Sequence, residues 1–109
     1  MQGERVAVVT GSSTGNGFET SLLLAKNGYH TYATMRNLDK STRIKEIAKK
    51  DSMLLEVLPL DVTDDKSVAG AIDMISNRHR RIDVLVNNAG YEMHGAVEDL
   101  SLGHQYSLE

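Results

Sequence analysis

Four short apolar runs punctuate the chain at near-regular intervals: Val6–Val9, Tyr29–Met35, Leu54–Leu60 and Ile82–Val86. Continuous runs of this length and β-branched content suit strands buried on both faces, as in a parallel sheet. The stretches between them carry helical spacing. Phe18, Leu22, Leu23 and Ala25 lead to Lys26, with Gly28 where a helix would end. Asn37-Leu38-Asp39 offers caps for a helix through Ile44, Ile47 and Ala48. Thr63 is placed to cap a third helix, with Asp64 and Asp65 in its first turn and Val68, Ile72 and Ile75 as its apolar stripe. The basic cluster Arg78-His79-Arg80-Arg81 closes that helix, where cations complement the negative end of the dipole. The order is therefore β-α-β-α-β-α-β, for which right-handed crossovers are expected. After Gly90 the pattern weakens to a loop and, at most, the start of another helix.

Composition narrows the class. The 109 residues form one domain, 1–109, with 40% hydrophobic and 25% charged residues, the ordinary balance of a globular protein. A domain of this length buries roughly two-thirds of the surface its unfolded chain exposes. The absence of cysteine excludes disulfides and thiolate metal sites. The four histidines, His30, His79, His94 and His104, show no metal-ligand spacing and read as scattered surface residues. A net charge of -3 gives no general attraction to nucleic acid or anionic membranes. No apolar stretch approaches the ~20 residues of a membrane span, and no secretion signal opens the chain. A cytoplasmic location is expected.

The chemistry concentrates where strands end. "TGSSTGNG" places Gly11, Gly15 and Gly17 between the first strand and the first helix. Glycines there permit a tight turn, close backbone approach to a ligand, and close packing of helix on strand. The N–H groups at the helix start then face an anion favoured by the dipole. The spacing, T-G-x-x-x-G-x-G, is neither the generic dinucleotide fingerprint nor a P-loop.

With "LDVTD" at Leu60–Asp64 after the third run and "NNAG" at Asn87–Gly90 after the fourth, this turn resembles the short-chain dehydrogenase/reductase family over residues 5 to about 100. The resemblance implies a three-layer α/β Rossmann-like fold with a parallel sheet in the order 3-2-1-4. It also implies an oxidoreductase using a nicotinamide dinucleotide. Gly11, Ser12, Ser13, Gly15, Asn16 and Gly17 would surround the diphosphate. Asn16 departs from the aliphatic residue many members carry there. Asp61 and Val62 would form the adenine pocket, and Asn88, Ala89 and Gly90 would lie beside the adenosine ribose and the nicotinamide. Thr10 and Asn87 are expected to stitch strand ends together.

Selectivity rests on the end of the second run, "TYATMRN". An acid there would accept from the ribose 2′-hydroxyl of NAD; a cation would meet the 2′-phosphate of NADP. Met35 stands where the acid would be and Arg36 follows, so NADP is expected, with NAD the alternative. A guanidinium suits a dianionic phosphate, and by resemblance Ser12 adds a hydroxyl to it.

The family's Tyr-x-x-x-Lys pair, with its supporting serine and asparagine, lies well beyond "NNAG". Tyr91 is followed by "EMHG" and Tyr106 by "SLE", while Ser101 and Ser107 lie too near the fourth run. No catalytic residue is carried over. The chain thus reads as the dinucleotide-binding half of an oxidoreductase, not expected to turn over alone. The alternative is a non-catalytic nucleotide-binding or self-assembling module. A phospho-acceptor domain is disfavoured because Asp61 stands alone at its strand end. The outer edge of the fourth strand is an exposed apolar template, through which a homo-oligomer is expected.

Overall fold

The structure is a computed structural model and describes residues 5–88. Among these, four parallel strands form one sheet in the order β3-β2-β1-β4. They are β1 (Val6–Val9), β2 (His30–Met35), β3 (Leu55–Pro59) and β4 (Val84–Val86), interleaved with α1 (Gly15–Lys26), α2 (Thr42–Lys50) and α3 (Asp65–His79). The expected strand order and α/β alternation are thus present. β1 pairs with β2 from Val6 opposite His30, and with β4 from Ala7 opposite Val84.

Alternation along the strands builds two apolar layers. Val6, Val8 and Tyr32 face α3, packing with Val68, Ile72, Ile75, Ile82 and Leu85. Ala33 and Met35 face the other way, against Phe18 of α1 and Ile44 of α2. β1 and β2 lie in the middle and are buried almost throughout, whereas β3, at the edge, is only half-buried. The sole proline, Pro59, ends that edge strand, where a missing N–H costs least.

Several local expectations shift. Asn37 caps a short 3-10 turn (Leu38–Lys40) by accepting from the Asp39 N–H, and α2 begins only after Ser41. Asp64, not Thr63, caps α3: its carboxylate accepts from the Lys66 N–H at 3.0 Å. Thr63 is taken by Asp61, to which it donates from both its N–H and its hydroxyl.

The basic cluster does close α3, yet two of its cations are committed elsewhere. Arg78 reaches Glu56 on β3 at 3.0 Å, and Arg81 forms a two-bond fork with Asp83. His30 and His79 are also not scattered. Their rings lie 4.6 Å apart, with His30 2.7 Å from Glu56 and His79 2.6 Å from the Tyr32 hydroxyl. Burial raises the pKa of Tyr32, and the Glu56 charge adds to the effect. This cluster joins β2, β3 and α3 at the end of the sheet where β2 begins.

Candidate functional site

The opposite end of the sheet, where the strands finish, gathers the motif residues. The chain leaves β1 toward β2 and β3 and later returns to β4 on the other side, so its topology reverses beside β1. In open α/β sheets that crevice is where ligands bind. Thr10 stitches it: its N–H donates to the Val86 carbonyl at 3.0 Å and its hydroxyl lies 3.2 Å from Asn87 Oδ1.

The glycine turn crosses itself at close quarters. A Cβ on Gly17 would stand 2.0 Å from the Gly11 carbonyl oxygen and 2.8 Å from Asn88 Nδ2, so only glycine fits. Asn88 donates to that same carbonyl at 3.3 Å, tying the end of β4 to the turn. Gly15 opens α1 with φ of 61°, in the left-handed region. The residue before it, Thr14, makes no side-chain capping bond. The first N–H groups of α1 have no partner within the helix by geometry. They stand at the positive end of its dipole, where an anion is favoured.

Beside the turn lies a cavity of about 280 Å³ lined by Gly11, Ser13, Met35, Arg36, Leu60, Asp61, Val62 and Thr63. Roughly 300 Å³ is the lower end of ligand pockets, enough for part of a dinucleotide. Arg36 is exposed and makes no hydrogen bond or ion pair among the described residues. Asp61 is held in place by Thr63, whose two donations to Oδ1 (2.6 and 3.0 Å) keep its carboxyl below the usual range, aided by the Arg36 charge. A larger groove of about 760 Å³ runs between α1 and α2, lined by residues such as Leu22, Leu23, Ile47 and Leu54. It contains none of the motif residues and lies away from the strand ends.

The sequence motifs therefore converge, with one difference. Ser12 is fully buried; its hydroxyl donates to the Val9 carbonyl at 2.9 Å and lies 3.0 Å from Ser21 Oγ. Its side chain is turned away from the cavity, and Ser13 is the serine that lines it. Asn16 is exposed on the first turn of α1. Ala89 and Gly90 lie outside the described residues. The lining roles of Leu60 and Thr63 were not visible in the sequence. Nor were the contacts of Ser21, nine residues from Ser12 along the chain. Among the described residues no group of His, Asp or Glu is arranged to hold a metal ion, and no helix is long and apolar enough to cross a membrane.

The family model for short chain dehydrogenases matches residues 5–106. The chain belongs to the short-chain dehydrogenase family. It is 39% identical over 102 residues to retinol dehydrogenase 8 of Homo sapiens, covering 90% of this chain and 32% of that protein. A solved metagenomic short-chain oxidoreductase in complex with NADP superposes with a TM-score of 0.75 at 30% identity, covering 82% of this chain and 40% of that one. An actinorhodin polyketide ketoreductase with NADPH gives a TM-score of 0.73 at 26% identity over 90% of this chain and 38% of its own. The chain spans about a third of the length of the curated short-chain dehydrogenase relatives it matches.

Proposed function

We propose that this chain is the dinucleotide-binding part of an oxidoreductase that prefers NADP. The observation that carries the reading is the juxtaposition of the uncapped start of α1 with a cavity flanked by the exposed guanidinium of Arg36, which makes no hydrogen bond among the described residues. The diphosphate would meet the amides of the Gly11–Gly17 turn, and the adenine would lie against Val62 with Asp61 accepting from its amino group. Arg36 and Ser13 would face the 2′-phosphate. Asn88, with Ala89 and Gly90, would border the ribose and the nicotinamide. Family membership and the NADP- and NADPH-bound neighbours support this. Hydride chemistry would belong to the bound nicotinamide. This chain supplies binding and orientation, and no catalytic residue is assigned within it.

The test is a fluorescence titration of NADPH and NADH against Arg36→Asp. A charge-assisted hydrogen bond contributes about 1.5–3 kcal/mol, so NADPH should weaken roughly 10- to 100-fold while NADH changes little. Equal affinity of the variant for NADPH removes Arg36 from the phosphate site. Redox turnover of a panel of alcohols and ketones by this chain would overturn the absence of an assigned catalytic group.

Assembly forms part of the same reading. Among the described residues β4 pairs only with β1, leaving its outer edge open. That edge is proposed to pair with a second copy, in a cytoplasmic setting. Light scattering after size exclusion should report a dimer at high micromolar concentration; a stable monomer would refute the pairing.

A further inference from the structure

We infer that Ser21 and Thr34 are positioning residues that fix the glycine turn through Ser12. Ser12, Ser21 and Thr34 are each 0% exposed. The Ser12 hydroxyl and the Thr34 hydroxyl both donate to the Val9 carbonyl, each at 2.9 Å. The Ser12 N–H donates to the Thr34 carbonyl at 3.0 Å. From α1, Ser21 Oγ lies 3.0 Å from Ser12 Oγ and 2.8 Å from the Gly17 carbonyl.

Counting protons fixes the direction of this network. The Ser12 proton is committed to Val9, so at the serine–serine contact the Ser12 oxygen accepts. The single proton of Ser21 is then shared between Ser12 Oγ and the Gly17 carbonyl. Residue 12 is thereby tied to β1, β2 and α1 at once. The tie to Gly17 reaches the crossing point where a Cβ would meet the Gly11 carbonyl.

Stability alone does not call for these hydroxyls. Alanine at 12 and 21 together would occupy nearly the same space with neither hydroxyl left to satisfy, and replacing both partners of a buried hydrogen bond by apolar groups is often close to neutral. What the hydroxyls supply is a defined height for the turn, and with it the aim of the amides of residues 13–17. The functional side of this inference rests on the proposed cofactor reading; the structural side does not.

The experiment uses the intact 109-residue chain with Ser12→Ala, Ser21→Ala, the double variant, and Thr34→Val, which deletes a hydroxyl at nearly constant volume. Hydrogen exchange is read at the Ser12 amide and at Val8 and Ile72 in the core, and affinity by titration with NADPH and with NADH. Ser21→Ala and Thr34→Val should each speed exchange at Ser12 about five- to tenfold, the factor set by one ordinary hydrogen bond, with the core amides unchanged. NADPH and NADH should weaken together by a similar factor, leaving their ratio constant. The double variant should fall short of the sum of the two single effects, because Ser12→Ala already removes the serine–serine contact and only the Ser21–Gly17 contact remains to be lost. Unchanged exchange at Ser12, or equal acceleration in the core, overturns the inference. A changed NADPH-to-NADH ratio also overturns it, since a hydroxyl would then be reading the phosphate. If the unsubstituted chain binds neither dinucleotide, the cofactor reading fails and the exchange rates alone decide the positioning role.

Discussion

Glycine to alanine inside a helix ordinarily stabilises, by about 0.5–1 kcal/mol, because alanine loses less backbone freedom on folding. This protein offers the same substitution in two helices with opposite expected signs. At Gly70, on the exposed side of α3, an added Cβ meets nothing within 4 Å. Gly70→Ala should therefore raise Tm by roughly 2–8 °C, given ~4–8 °C per kcal/mol for a domain of this size. At Gly17 the Cβ would lie 2.0 Å from a backbone carbonyl, when even a tight contact needs about 3.0 Å. The turn must open by at least 1 Å, and Gly11 is held by Asn88 against that movement. Overpacking of this kind costs about 1–3 kcal/mol, and a backbone obstacle belongs at the upper end. Subtracting the helical gain leaves a net loss of about 2 kcal/mol, a fall in Tm of roughly 8–16 °C. Thermal denaturation followed by circular dichroism measures both variants side by side. NADPH titration of Gly17→Ala should show at least a tenfold loss. If Gly17→Ala melts at or above the temperature of the unsubstituted chain, the crossing of the turn described above is wrong.

Acid should unfold the protein partly through two carboxylates at the far end of the sheet. For Glu56, burial pushes the pKa up, but hydrogen bonds from His30 and Arg78 prevail and lower it. Asp83 is lowered by Arg81 and by the Val6 N–H, against the opposing effect of burial. Because both folded pKa values are depressed, their stabilisation is complete above the unfolded value of ~4 and is lost as pH falls through the lower folded values. Glu56→Gln/Asp83→Asn should flatten the fall of the urea midpoint between about pH 5 and pH 3; parallel curves for variant and parent would exclude these two groups. Tyr32→Phe removes a buried hydroxyl bonded to His79 and Arg78. It should cost about 1 kcal/mol, seen as a Tm lower by ~4–8 °C, and an unchanged Tm would show that the cluster adds nothing to stability.

What could be read from the sequence follows from how far apart interacting residues lie along the chain. The strands were legible because a buried parallel strand needs its apolar residues consecutively, as in Val6–Val9. The glycine turn was legible because a strand end, a tight turn and a helix start occupy eight successive residues. Even locally the reading slipped where two residues compete for one donor or acceptor. "DVTDD" offers four residues of capping type, and the outcome turns on Asp61 capturing Thr63, which leaves Asp64 to cap α3. Ser12 failed for a related reason: in a turn lined with hydroxyls, sequence does not say which one faces inward. Its inward partner, Ser21, comes from two turns along α1. The cluster of His30, Tyr32, Glu56, Arg78 and His79 was wholly illegible. Its bonds span 22 to 47 residues and exist only because α3 packs back across β2 and β3. In both arrangements the partners come from different elements, and periodicity marks which face of an element is apolar without specifying what a polar side chain will meet. A turn proposed to hold a phosphate through its backbone is therefore written openly in its glycines, while the hydroxyls inferred to set its height read, one by one, as ordinary small residues.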